Sequence, residues 1–312
     1  MPLSIPGSDR GLPLLELVGV IPKKYKKRQR RRAAFRGEVI ALISRGPKPA
    51  PWKRRLFVLN FKEGIEERAA QLGYAVDYFW SGNHPGKAME RLLHSRAVHN
   101  LLILPESLTG EHMPLDLPWD RFSLVRIGYS TKDLEVAGVA HDLFGSALTV
   151  FDKLRARGYR RPALMQTRRT EARQDYRWAS ALLFRQQELP EADRLPIAFA
   201  DGDCIEADWI RAYCDRHRPD VVISMTAAVL HGLRARKDPV TRDIGFISLD
   251  IQKNQPNLSG IDQNQKLIGA SAVDQLDLLQ RTNQRGIPAE APMTLIKGRW
   301  QEGTTLPERR AR

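Results

Sequence analysis

Cysteine is scarce in this chain. Only Cys204 and Cys214 are present, with neither C-x-x-C spacing nor partner histidines, so neither a disulfide framework nor a zinc site is expected. Long apolar runs are also missing. None approaches the roughly 20 residues needed to cross a bilayer. The one N-terminal candidate, LPLLELVGVI at 12–21, is interrupted by Glu16 and has little positive charge before it and no small-residue cleavage site after it, so it does not read as an export signal. These absences predict a reducing, cytoplasmic setting with no membrane partner. G-x-S-x-G, Gly-rich loops of the P-loop or dinucleotide kind, and H-E-x-x-H are all absent, and the carboxylates are scattered along the chain. No enzyme activity, no catalytic residues, no cofactor and no metal are therefore expected.

Acidic residues are absent from one further stretch, KKYKKRQRRRAAFR at 23–36, and this absence is informative. Lys23, Lys24, Lys26, Lys27, Arg28, Arg30, Arg31, Arg32 and Arg36 supply nine of the chain's net +14 charges, which leaves +5 for the remainder. Basicity is thus local. A run of this kind attracts polyanions by counterion release, and an isoelectric point near 10.0 is the usual footprint of a nucleic-acid binder. A solvated connector is the alternative.

With 312 residues, of which 42% are hydrophobic, the chain can bury a full core as two domains or one larger α/β unit. From Glu38 onward, short apolar runs alternate with longer amphipathic stretches. EVIALIS (38–44), YAVDYFW (74–80), HNLLILP (99–105) and FSLVRIGY (122–129) read as strands. Helices are predicted at 51–73, closed by Gly73, at 85–95 and at 140–157. Leu56, Leu59, Ile65, Ala69 and Leu72 could share one face of the first. The pattern then restarts with GYRRPALMQ (158–166), PIAFA (196–200), PDVVIS (219–224) and DIGFISLD (243–250), interleaved with helices near 171–188, 206–217 and 227–236. Strands that are apolar throughout and separated by helices imply parallel sheets covered on both faces. A last helix is predicted from an Asp262 cap to about Arg281, with Gln265 at capping-box spacing and Ile268, Ala272, Leu276 and Leu279 on one face.

Several of these segments match a known family. IGFISLDIQKNQPNLSGIDQNQKLIGASAVDQLDLL (244–279) and PMTLIKGRWQEGTT (292–305) resemble the effector-binding core of the lac repressor/galactose repressor (LacI/GalR) family of bacterial transcription regulators. The features that carry the likeness are Gly245, Asp250, Asp262, Gln263, Gly269 and Val273. GIEERAAQLGYAV (64–76), LLILP (101–105), AHDLFGSALTVFDKLRARGYRRPALM (140–165) and RPDVVIS (218–224) extend it over roughly 37–305.

The resemblance implies two α/β subdomains of periplasmic-binding-protein-like type, joined by three crossovers near 158–161, 251–262 and 284–291, with a sugar-like or nucleobase-like effector between them. The subdomains would comprise 37–158 plus 262–287 and 159–261 plus 288–305, with a tail at 306–312. Family position nominates Asp142, Arg177 and Asp250 for the effector. Ser44 and Ser224, at strand ends facing the cleft, are added as candidates.

The resemblance also implies DNA as a partner and a homodimer. Family members begin with a helix-turn-helix, and no such pattern is recognisable in 1–36. GLPLLELVGVI (11–21) looks like a hinge with its flank, and the basic run then serves as a connector that holds phosphates without specifying bases. Where relatives commonly carry an Asn-Asp pair this chain has Met225-Thr226, and where the family stacks an aromatic on its sugar it offers Cys204; both departures count against a sugar ligand and point to a changed or lost effector. Trp178 and Trp209 read as packing residues rather than cleft walls. A solute-binding protein of a transporter, sharing the fold, and a non-specific nucleic-acid binder acting through 23–36 are the alternative readings.

Overall fold

The computed structural model describes residues 38–46, 56–83, 86–105, 115–202, 204–234, 241 and 243–309. The basic run at 23–36 and the hinge-like segment before it lie outside them. The unit Glu38–Arg312 carries two six-stranded sheets.

The first sheet contains β1 (Val39–Ser44), β2 (Ala75–Trp80), β3 (Asn100–Ile103), β4 (Ser123–Ile127), β5 (Gly138–His141) and β11 (Met293–Ile296), in the order β11-β5-β4-β3-β1-β2. All its pairings are parallel. The inner strands are apolar on both faces because helices cover both. Ile40, Ala41, Leu42 and Ile43 of β1 and Leu101, Leu102 and Ile103 of β3 are at most 1% exposed, the pattern of a doubly wound sheet. On one face Ile40, Leu42, Leu102 and Val125 meet helix α1 (Leu56–Gln71) through Val58, Phe61, Ile65 and Ala69. On the other, Ala41, Ile43, Leu101 and Ile103 meet α2 (Lys87–Ser95) through Met89 and Leu93. Leu59, expected on the buried face of α1, is 38% exposed.

The second sheet contains β6 (Pro162–Thr167), β7 (Ala198–Ala200), β8 (Val221–Ser224), β9 (Gly245–Ser248), β10 (Gly260–Asp262) and β12 (Arg299–Gln301), in the order β12-β10-β9-β8-β6-β7. Only the β10–β12 pair is antiparallel. Its helices are α3 (Leu143–Ala156), α4 (Arg168–Ala172), α5 (Arg177–Gln186), α6 (Ala207–His217) and α7 (Ala228–Arg234). The α/β architecture of two parallel-dominated sheets is thus as expected.

The subdomain boundaries differ from the sequence expectation. The helix predicted at 140–157 is preceded by a strand, β5, and α3 packs its Leu143, Ala147, Val150, Phe151 and Leu154 with Leu164, Ile223 and Ile247 of the second sheet. The first passage between sheets is therefore at Asp142, not at 158–161. Likewise β11 pairs with β5 in the first sheet, so the third passage falls at 297–298 rather than 284–291. A short apolar strand carries no mark of which sheet it will join, because that depends on an open edge elsewhere in the chain.

The final helix, α8 (Gln265–Arg281), returns to the first sheet. Ile268, Ala272, Val273 and Leu276 are buried there with Phe61 and Ile65, and Leu279 packs alongside. Its N-cap is Asn264 (φ 60) with no side-chain cap bond. Asp262 is instead the last residue of β10, and its Oδ1 accepts from the Asn264 amide at 2.8 Å. Gln265 makes no capping box; its Nε2 donates to Asp250. The predicted 171–188 helix is broken into α4 and α5, because Asp175 and Tyr176 take positive φ values of 54° and 55°.

Candidate functional site

Parallel strands end together, so each sheet presents one edge of carboxyl-terminal residues, and two such edges meet where the chain passes between sheets. The first sheet contributes Arg45, Tyr129 and His141–Asp142. The second contributes Thr167, Ser224–Met225, Asp250 and Gln263. Contacts across this junction are direct. The Arg177 guanidinium, on the first turn of α5, lies 4.6 Å from the centre of the Tyr129 ring, in cation–π contact. Lys132, on the loop after β4, pairs with Asp175 at 2.6 Å and donates to the Ala172 carbonyl at 3.0 Å.

The Tyr129 hydroxyl donates to the His141 carbonyl at 2.8 Å, which holds the ring at the junction. Burial pushes its phenol above the usual range, against the opposing pull of Arg177. His141 is 4% exposed, with its ring 6.2 Å from that of Trp178. Burial lowers its pKa to about 4, so the ring is neutral at physiological pH. Trp178, 2% exposed, is a core residue, and Trp209 stacks on Tyr213 at 6.2 Å.

Glu171 is fully buried. One carboxyl oxygen accepts from the Ala179 amide at 2.7 Å, while Oε2 has no partner. Burial pushes its pKa up to about 7. Further into the junction, Met225 Sδ receives Gln174 Nε2 at 3.8 Å and Gln263 Nε2 at 3.5 Å. Gln263 also donates to the Leu249 carbonyl at 2.8 Å. Gln166 Oε1 accepts from the Met225 amide at 3.4 Å, leaving Gln166 Nε2 unbonded.

Of the five residues nominated from sequence, Arg177 reaches the junction with its guanidinium. Asp142 is the N-cap of α3, its Oδ1 accepting from the Gly145 amide at 2.9 Å. Asp250 accepts from Gln265 Nε2, and burial pushes its carboxyl up to about 7. Ser224 is fully buried, and its hydroxyl accepts from the Thr226 amide at 3.3 Å. Ser44 is 3% exposed at the end of β1, where its carbonyl accepts from the Ser81 hydroxyl at 3.4 Å. The Asp142 cap has a direct test. Asp142→Ala should cost about 1 kcal/mol in urea denaturation, while Asp142→Asn, which caps equally well, should cost little. Equal losses in both would show that the carboxylate charge matters beyond the cap.

Sequence reasoning missed Arg126, Tyr129, Glu171 and Gln174. One signal was available: Arg126 is a lone charge inside the apolar run SLVRIGY, an unfavourable position in a buried strand unless the charge is used. Nothing local marks Glu171 or Gln174. Cys204, set by family position where an aromatic would stack on sugar, is exposed, and both cysteines are free thiols. The second passage falls at 263–264 rather than 251–262, because β10 is still in the second sheet, and a separate small pocket of about 90 Å³ lies beside it, lined by Asn60, Gln252, Lys253, Asn264, Gln265 and Lys266 among others. There Asn60 Nδ2 lies 3.2 Å from both Gln252 Oε1 and Gln265 Oε1, tying α1 to the passage. No helix among the described residues is long and apolar enough to cross a membrane.

No family model matches the sequence, and no curated protein sequence matches it. Solved structures do resemble the fold. The transcriptional regulator CelR in complex with cellobiose is 18% identical, covers 92% of this chain and 91% of its own, and superimposes with a TM-score of 0.61. The LacI family regulator CCPA from Weissella paramesenteroides with bound sucrose is 15% identical, with 87% and 99% coverage and a TM-score of 0.62. The lac repressor dimer bound to operator and the anti-inducer ONPF is 18% identical, with 92% and 99% coverage and a TM-score of 0.61. Two parallel-dominated sheets, three passages between them and a polar junction at the strand ends thus give this chain the fold seen in LacI-family transcriptional regulators.

Proposed function

We propose that this chain is a ligand-responsive, DNA-binding transcriptional regulator of the LacI type, or the effector-binding core of one, that takes a small molecule at the junction of its two sheets. The observation that most supports this reading is the contact of Arg177 of the second subdomain with Tyr129 of the first. The likeness to regulators solved with cellobiose and sucrose supports it. The mechanism is a population shift. An effector that contacts both edges favours one closure angle, and in a homodimer closure moves the segments that precede β1 relative to one another. The basic run 23–36 would hold DNA phosphates without reading bases. The setting is cytoplasmic, and the mechanism requires no catalysis.

DNA selected from a random pool and followed by fluorescence anisotropy tests the reading. Affinity should fall steeply with salt, and an effector found by thermal-shift screening should change it by at least about fivefold. A chain that binds small molecules but ignores DNA at all salt concentrations would return the solute-binding alternative to first place.

A further inference from the structure

The ion pairs around the junction leave an imbalance of charge. Arg45 is held by Asp133 through two bonds of 2.8 and 2.6 Å. Lys132 is held by Asp175 at 2.6 Å, and Arg168 by Asp201 at 3.1 Å. Asp142 is engaged as a helix cap and Asp250 by Gln265. At the junction, Arg126 and Arg177 make no ion pair with a carboxylate among the described residues, and Asp175 and Glu135 act on Arg126 only at longer range. Arg126 points from β4 of the first sheet, with one amino group on the Gly128 carbonyl at 2.7 Å. Arg177 comes from α5 of the second subdomain and covers Tyr129. The Nε of each is buried and unbonded, and both cations act on the Tyr129 phenol.

A desolvated guanidinium with unsatisfied donors is costly, and burial depresses the pKa of Arg126. A guanidinium fork also matches the oxygens of a phosphate or carboxylate in a way that a neutral hydroxyl cannot. Gln166, 1% exposed, adds a third unused donor through Nε2. Two buried acceptors on the Glu171–Gln174 segment are also unbonded, Gln174 Oε1 and Glu171 Oε2, and acceptors of this kind suit ligand hydroxyls.

We propose that the effector of this chain is a small polyol bearing an oxyanion, a sugar phosphate or a sugar acid, with its anionic group gripped between Arg126 and Arg177 over the Tyr129 ring and its hydroxyls turned to Gln174 and Glu171. The proposal rests on the ligand-responsive reading above and specifies its ligand. Because the two arginines come from different subdomains, the anion bridges them and stabilises the closed arrangement. Neutral sugars lack the group that would satisfy the pair.

Isothermal titration calorimetry on the full chain tests this with hexose phosphates, aldonates and the corresponding neutral hexoses as probes, and with inorganic phosphate as a further arm. At least one phosphate or aldonate should bind 10-fold or more tightly than its neutral parent, and the tighter of the two classes identifies the anion. Arg126→Met and Arg177→Met should each weaken that binding at least 10-fold, with Arg126→Lys in between. Without ligand, Arg126→Met should melt no lower than the parent protein, because it removes a half-buried charge that has no ion-pair partner and a buried, unbonded Nε; a structural role would lower its melting temperature. Neutral hexoses binding as tightly as their phosphates, or Arg126→Met leaving anion affinity unchanged, would overturn the anionic class while leaving the cleft reading intact. Failure of every probe of both kinds would remove the cleft reading together with this one.

Discussion

Gly269→Ala should lower the free energy of unfolding by about 3 kcal/mol, the upper end of what overpacking a rigid contact costs. A Cβ at this position of α8 would stand 2.3 Å from the Phe61 carbonyl oxygen of α1. Across the same contact, a Cβ on Gly64 would stand 1.9 Å from the Lys266 carbonyl oxygen. Both obstacles are backbone atoms within helices, so neither can swing aside as a side chain would. The close approach is also what lets Lys266 reach Glu63 at 3.1 Å and Glu67 at 2.8 Å. Gly73 is the control. Its φ is +84°, and a Cβ there would meet nothing within 4 Å, so Gly73→Ala should cost only about 1 kcal/mol of backbone strain. Urea denaturation compares the three chains, and a Gly269→Ala midpoint equal to that of Gly73→Ala would refute the close-packing account.

Glu171→Gln should stabilise the protein at pH 8 by about 3 kcal/mol and leave it nearly unchanged at pH 4. Burial raises the Glu171 carboxyl from its ordinary 4.5 to about 7, so the folded state holds its proton more tightly than the unfolded chain does. The stability this group contributes is therefore complete below about pH 4.5, falls as pH rises toward 7, and then levels off. Asp250, raised to about 7 by burial, acts in the same direction over the same interval. Glutamine keeps an oxygen for the Ala179 amide, which the carboxylate now serves at 2.7 Å, and removes the charge that has to be desolvated. Melting curves from pH 4 to 8 should show the parent and variant diverging through pH 5 to 7. A variant less stable at every pH would mean that the carboxylate is satisfied as an anion and that burial is not its dominant cost.

The face of α8 is legible from spacing alone. Ile268, Ala272 and Leu276 recur at four-residue intervals, and all three are at most 1% exposed. The same holds for β1, where a continuous apolar run of strand length reads as a strand buried on both sides. Local reading fails where two signals compete. GVAH at 138–141 is short, and its Ala140 and His141 run straight into the amphipathic stretch that follows, so β5 merges into a predicted helix. At 173–176 no glycine or proline marks the break between α4 and α5. That break is held by tertiary contacts: the Glu171 carboxyl on the amide of Ala179 and Asp175 on Lys132.

The sequence by itself determined the alternation of buried strands and amphipathic helices, and with it two parallel sheets, because side-chain periodicity is a property of neighbouring residues. It also placed Ser44, Ser224 and Asp250 at strand ends and Asp142 near the start of a helix, while Arg177 fell inside a predicted helix and reached a helix start only through the break at Asp175–Tyr176. Only the tertiary structure decided that α3 joins the second sheet and β11 the first, that Asp142 serves as a cap, and that Arg126 and Arg177 converge on one tyrosine. Those outcomes depend on strand order and on which edge is open, and such pairings are made between segments far apart in the chain, where no local pattern records the partner.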